Sequence, residues 1–497
     1  MGLEPSIAQR PGLRSRLFIR LAQAASALSL AACASLPHSD APPVAKAAGA
    51  YAATQSFAAP VSDWPADAWW KAYGDPQLDQ LIDEALAGSP DMAAARARIQ
   101  HAKAETATAQ AGLFPTLQGQ ASANESKQSY HLGIPPQFVP KGYNDTGDLQ
   151  LNFSWELDFW GKTRSAIAAA TSETRASAAD AAAARLTLST AVAASYADLA
   201  RLFAERDVAE RSVQSRLETL DLVSRRVANG LDTQGELKQA EAGAPAARAD
   251  LAAIDEQIAE TRNQLAALLG AGPDRGLSIA RPARASLKAF GLPQSVAADL
   301  VGRRPDVTAA RWRAEAAAKR IGVAKAQFYP DVNLTAFVGY QSLYLRELFK
   351  SGSGIGQAGP AISLPIFEGG RLRANLKGAQ ADYASAVASY DGAVTQAFRE
   401  VADAAAGERA LGTRLKESRD ALTGEEEAYR VARLRYEGGL ADYQTVLIAE
   451  DRVLSSRRTV VDLEARAFTL DVQLVKSLGG GFADAGQQKM SGAFNGA

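Results

Sequence analysis

The sequence predicts a mixed α + β fold in which one plan is used twice, with long antiparallel helical hairpins joined to short pairs of membrane strands. Three observations carry this expectation. Landmarks recur at near-constant offset: Pro90 and Pro305, like Pro115 and Pro330, lie 215 positions apart, and Gly230 and Gly439 lie 209 apart. After each Phe-Pro or Tyr-Pro pair the apolar period changes from helical to two. Beyond Cys33 no apolar run approaches the roughly 18 residues of a spanning helix, so any membrane crossing falls to strands.

Composition narrows the function classes. Hydrophobic residues at 47% and charged residues at 22% are ordinary for folded protein and exclude wholesale disorder. A net charge of −1 offers no basic field for nucleic acid or anionic headgroups. Few aromatics (7%) and heavy use of Ala favour long, closely packed helices. One Cys rules out an internal disulfide framework, and three His leave little for a metal cage or a catalytic dyad. No cofactor is expected.

The N-terminus has the form of an export address. Arg10, Arg14, Arg16 and Arg20 precede the short apolar stretch 21–32, which ends at Cys33. Leu30-Ala31-Ala32-Cys33 resembles a bacterial lipobox, making Cys33 the expected lipidation site and 1–32 a signal peptide. Ala34, rather than Asp, follows the Cys, which by resemblance to bacterial lipoproteins implies sorting to the outer membrane. Met1-Gly2 through Ser6 also fits a loose myristoylation pattern, but a basic and apolar signal directly behind it favours export. Residues 33–77 are expected to form a lipid-anchored N-terminal segment, with 34–60 a flexible Ala/Pro/Ser tether.

The first repeat is expected over 78–290 and the second over 291–480, with a disordered tail at 481–497. Each opens with a helix at a Pro-Asp pair, because Pro suits the helix entry and an acid complements the N-terminal dipole. A hairpin follows at about 116–157, where Leu149, Leu151, Phe153 and Trp155 alternate with Asp148, Gln150, Asn152 and Ser154. Its counterpart at about 331–366 alternates Val332, Leu334, Ala336, Val338 and Tyr340, then Ala358, Pro360, Ile362 and Leu364. Apolar on one side and polar on the other is the signature of a membrane barrel with a wet interior. Taken alone it also fits soluble hairpins packed on a core; the export signal and the lack of a spanning helix favour the barrel. Four strands cannot close, since about eight are the smallest workable number, so the chain is expected to oligomerise. Three copies give twelve strands, although arithmetic does not choose three over two or four.

Long helical hairpins are expected at about 161–269 and 369–478, with a bend at Gly243 and Pro245 in the first return helix. Gly at the reversals supplies the backbone freedom a sharp turn needs.

Two decoys fall away. Gly354-Ile355-Gly356-Gln357-Ala358-Gly359 fits a dinucleotide fingerprint literally, but Pro360 and an extended run follow instead of a helix, so it is expected to be a flexible external loop. Glu156 and Asp158 are spaced like paired acids, but a structural junction or wet lumen explains them better than catalysis. No enzyme activity is expected.

Four segments in order carry a family resemblance: Trp69 to Leu78, Ser154 to Lys162, Arg303-Arg304-Pro305-Asp306-Val307 with Phe328-Tyr329-Pro330, and Leu364 to Leu372. With these the chain resembles the outer-membrane efflux family typified by TolC, in particular its lipoprotein (NodT-type) branch serving resistance-nodulation-division pumps. The resemblance implies a homotrimer with a 12-stranded β-barrel in the outer membrane, continued by a long antiparallel α-helical barrel in the periplasm. It implies an outer-membrane exit channel of a tripartite efflux pump that passively conducts small molecules such as drugs, with a periplasmic adaptor and an inner-membrane transporter as partners. An exit duct for an ABC or type I exporter, and a lipid-anchored periplasmic scaffold without a pore, are the alternatives. The resemblance also implies a gate at the helical tips, here Asn229, Gly230 and Asp232 in one turn and Arg435, Tyr436, Gly438, Gly439, Asp442, Tyr443 and Gln444 around the other. Arg435 and Tyr436 match a basic-aromatic pair that ties neighbouring helices in relatives. Relatives often carry an acid where this chain has Ile448, which points to an apolar constriction at that level.

Overall fold

The computed structural model describes residues 43–484 apart from 132, 284–286 and 288–289. The signal segment, Cys33 and residues 485–497 of the expected tail lie outside the described residues.

The two repeats have nearly the same dimensions. The first runs α1 (Pro76–Gly88), α2 (Pro90–Ala111), β1 (Thr116–Ser126), β2 (Asn144–Glu156), α3 (Lys162–Ala228) and α4 (Gln234–Leu268), followed by the single turn α5 (Asp274–Leu277). The second runs α6 (Val296–Arg303), α7 (Pro305–Ala326), β3 (Asp331–Ser342), β4 (Gly354–Ser363), α8 (Arg371–Glu437) and α9 (Tyr443–Ser477). Helices α2 and α7 have 22 residues each, α3 and α8 67 each, α4 and α9 35 each. At about 1.5 Å per residue a 67-residue helix rises roughly 100 Å. Helix α4 continues through Pro245 as one element, so the bend expected there does not end it.

Contacts divide the chain into two compact units, one containing 102–174 and 313–387, the other 45–101, 175–312 and 388–484. In the first, the strands form one antiparallel sheet in the order β1-β2-β3-β4. Leu149 faces Tyr340, Leu151 faces Val338 and Trp155 faces Leu334, while Gln120 faces Gln150 and Asp148 faces Gln341. Because side chains alternate along a strand, this register collects the apolar residues on one face and the amides and hydroxyls on the other. Gly354 to Gly359 belongs to β4 itself and not to a loop, which corrects the expectation; the strand ends at Ser363, leaving Leu364 outside it. Asp158 caps α3, accepting from the Thr163 and Arg164 amides at 3.1 and 2.9 Å. Glu156 pairs with Lys162 at 2.9 Å. Both acids are therefore junction residues.

The second unit has two main cores. In one, Leu78, Leu81 and Ile82 of α1 pack with Tyr196, Leu199 and Leu202 of α3 and Leu265 of α4. In the other, Val394, Ala397 and Val401 of α8 pack with Leu474 and Leu478. Of the flexible tether expected over 34–60, residues 34–42 lie outside the described residues, and the expectation is corrected for 43–60. Tyr51 and Phe57 stack edgewise on Phe398, and Pro60 and Ser62 exchange backbone hydrogen bonds with Leu292. Two aromatics in this segment, Tyr51 and Phe57, with Trp64 just beyond it, pack against the α8 core and give it enough apolar surface to dock.

Candidate functional site: the strand faces and the helical tips

The sheet presents two unlike surfaces. Leu117, Leu149, Leu151, Leu334, Val338, Tyr340 and Ile362 are large apolar side chains left exposed on one of them. A monomeric soluble protein rarely leaves so large an apolar patch uncovered; one is expected where lipid is the solvent. Its outer strands, β1 and β4, each pair on one side only. Unpaired strand edges are costly in a bilayer.

At the helical turns the two repeats use the same construction. Gly230 and Gly439 are left-handed, with φ of 71° and 72°. In the first turn the Gly230 amide donates to the Val227 carbonyl and Leu231 to Arg226; in the second, Gly439 donates to Tyr436 and Leu440 to Arg435. This is the Schellman closure, which satisfies carbonyls left over at a helix end. Three residues on, each return helix is capped. Thr233 accepts from Glu236 in a reciprocal capping box, and Asp442 accepts from the Thr445 amide at 2.9 Å.

The turns differ in one respect. Asp232 in the first is held on both oxygens by Arg226, at 3.0 and 3.2 Å, and accepts a hydrogen bond from the Tyr436 hydroxyl. Arg226 also donates to the Tyr436 carbonyl at 2.7 Å and lies over the Tyr436 ring at 4.3 Å. Tyr436 is fully buried, and burial together with Asp232 keeps its hydroxyl protonated far above the usual tyrosine range. Val223, Ala240, Tyr443 and Val446 complete a small apolar cluster around it. The cation beside Tyr436 is therefore Arg226, not the sequence neighbour Arg435, which is exposed and donates to the Leu440 carbonyl at 3.5 Å. Asn229 donates to the Arg225 carbonyl, and Gly438 closes the last turn of α8. Gln444 and Ile448 are exposed.

Arg226 was missed in the sequence although the repeat contained the signal. The 209-residue offset that relates Gly230 to Gly439 also relates Arg226 to Arg435 and Asp232 to Ala441. Only the first turn retains the acid that an arginine at this position can hold.

Comparison with known proteins fits this geometry. The family described as Outer membrane efflux protein matches residues 81–271 and 296–480, one match for each repeat. The chain belongs to that family. Its relatives include the fusaric acid resistance protein FusA of Burkholderia cepacia, 40% identical over 75% of this chain and 71% of that protein. The multidrug resistance outer membrane protein MdtP of Escherichia coli is 34% identical over 85% of this chain and 88% of its own length. The crystal structure of VceC from Vibrio cholerae superposes with a TM-score of 0.79 at 46% identity, covering 84% of this chain and all of that one. The mixed α + β architecture is that of TolC-like outer-membrane channels, and the protein is an outer-membrane efflux channel.

Proposed function

We propose that three copies join β4 of one chain to β1 of the next, closing a 12-stranded barrel that serves as the exit duct of a tripartite pump. The observation that carries this reading is the four-stranded sheet with an exposed apolar face and two open edges, a unit that lipid tolerates only when closed. Cys33 carries the lipid that anchors each chain in the outer membrane. A periplasmic adaptor meets the turns at Gly230 and Gly439 and links the duct to an inner-membrane transporter of the resistance-nodulation-division type. The energy is spent by that transporter, and this chain supplies a passive path. The cargo is a set of small organic compounds, a reading supported by the names of relatives that confer resistance to fusaric acid or to multiple drugs. The Arg226–Asp232–Tyr436 cluster holds the tip closed, tying α3 and its turn to the end of α8. Purified, matured protein is expected to run as a heat-sensitive trimer in mild detergent and to pass ions across planar bilayers. A monomer that never conducts would overturn the proposal.

A further inference from the structure

Away from the turns, α9 points a carboxylate into the protein. Glu450 is 2% exposed, and among the described residues neither of its oxygens receives a hydrogen bond. Arg216 of α3 approaches it to 3.2 Å, at ion-pair distance, and its other terminal nitrogen pairs with Asp451. The aliphatic stem of Arg216 crosses Gly243 of α4 so closely that a Cβ there would sit 3.2 Å from Cδ. One nearly buried guanidinium is thus shared by two consecutive acids, Glu450 in the dry interior and Asp451 in water.

The groups around Glu450 are few. Helix α3 contributes Ser215 and Arg216, and α9 contributes Asp451 and Tyr443. Helix α8 contributes Arg433, already engaged by Glu437 at 3.1 Å and Glu218 at 3.5 Å, and Tyr429, whose hydroxyl is 3.2 Å from that of Ser215. Helix α4 offers the uncharged Gly243 beneath Arg216. Burial pushes the Glu450 carboxyl above its ordinary range; Ser215, Arg216 and Arg433 draw it down without cancelling that rise, and Asp451 adds to it.

We propose that Glu450 is a proton-operated latch in the tip half of the hairpins, keeping α9 packed on α3 when protonated and favouring their separation when ionised. The direction follows from linkage. A carboxyl that binds its proton more tightly when packed stabilises the packed state at low pH, and this contribution is lost as pH rises through its raised pKa. Once ionised, the charge sits in a dry site where Arg216 at 3.2 Å offsets only part of the cost of burial, and separation returns it to water. Separation parts Arg216 from both acids of α9, but it also returns the guanidinium to water, where it needs no partner. The inference goes beyond the proposed duct by giving its tip a response to periplasmic pH.

The test is amide exchange of residues 443–455 in the full-length assembled protein, expressed at each pH relative to unstructured peptide. Wild type is expected to lose severalfold in protection as pH rises from the ordinary glutamate range, about 4.5, to 8.5. Glu450→Gln, which mimics the protonated form, is expected to stay protected throughout. Asp451→Asn is expected to keep the step but move it to lower pH, since a neighbouring negative charge is removed. A Gln variant that titrates like wild type, or an Asn variant with no shift, would overturn the latch. Exchange does not depend on conduction, so a protein that shows the step but passes no current refutes the duct and not the latch. A protein that conducts without the step refutes the latch alone.

Discussion

Replacing Arg226 with Ala removes the cation from a pair in which both side chains are largely shielded, with 11% of Arg226 and 5% of Asp232 exposed. Truncating one partner of a buried pair costs about 3–5 kcal/mol, because the remaining charge stays buried. A turn at a helix end lies close to water, so the lower end, about 3 kcal/mol, is the appropriate figure. At about 1.4 kcal/mol per factor of ten, the closed tip of each chain loses roughly a hundredfold in its equilibrium against opening. Tyr436→Phe deletes one hydrogen bond to a charged acceptor, about 1.5–3 kcal/mol, and is expected to shift the same equilibrium by a factor of ten or more. Arg435→Ala removes a solvated side chain with one long contact, so the change should stay within about 0.5 kcal/mol. Single-channel conductance in planar bilayers distinguishes these cases. Arg226→Ala and Tyr436→Phe should open to larger and longer-lived conductance states, while Arg435→Ala should resemble wild type. If Arg435→Ala opened the channel as much as Arg226→Ala, the intrachain cluster would not be the closure.

Cys33→Ser should abolish incorporation of labelled palmitate and leave unprocessed precursor on gels. Gly339→Val should prevent trimer assembly, because a Cβ at Gly339 would lie 2.2 Å from the Leu149 carbonyl oxygen; Gly356→Ala, at 3.4 Å from its nearest neighbour, should assemble normally. Arg304→Met removes the cation that Glu400 and Asp306 hold at 2.6 and 2.5 Å; because both acids keep access to water, the cost should be about 1.5–3 kcal/mol, read as a lower midpoint in urea unfolding of the assembled protein. Burial and then Asp471 raise the Glu408 carboxyl to about 7. Its contribution is therefore complete below the ordinary glutamate range and lost as pH rises through about 7, so Glu408→Gln should flatten the pH dependence of thermal stability there.

Much of the fold is legible in the sequence because its signals are long-range and redundant. The period-two alternation at Leu149 to Trp155 and the 215-residue offset place both hairpins, and the left-handed glycines at 230 and 439 mark both reversals. What escapes is set by partners rather than by local pattern. Residues 45–60 have the composition of a tether, yet Tyr51 and Phe57 on Phe398, and the Pro60 carbonyl on the Leu292 amide, make them part of the second unit. The Gly354 to Gly359 run is too rich in Gly to read as a strand, and it becomes one because every residue from Gly354 to Ser363 pairs in register with β3.

The tip shows the same limit at the scale of single side chains. Arg226 and Arg435 occupy equivalent places in the two repeats, and neither residue alone shows which is engaged. Asp232 decides it, because an arginine six residues before an acid, across a left-handed Gly, is folded back onto that acid by the turn itself. In the second repeat Ala441 offers nothing, so Arg435 stays in water and Tyr436 turns inward to the first repeat's acid. Duplication thus provides two equal hairpins, and the loss of symmetry at one position makes them depend on each other. Glu450 extends that asymmetry along α9. Ile448, at the level where an apolar constriction is expected, is exposed, whereas two residues on an acid is buried beneath Arg216. Moving a carboxylate from a wet site to a dry one turns a fixed charge into one that responds to pH.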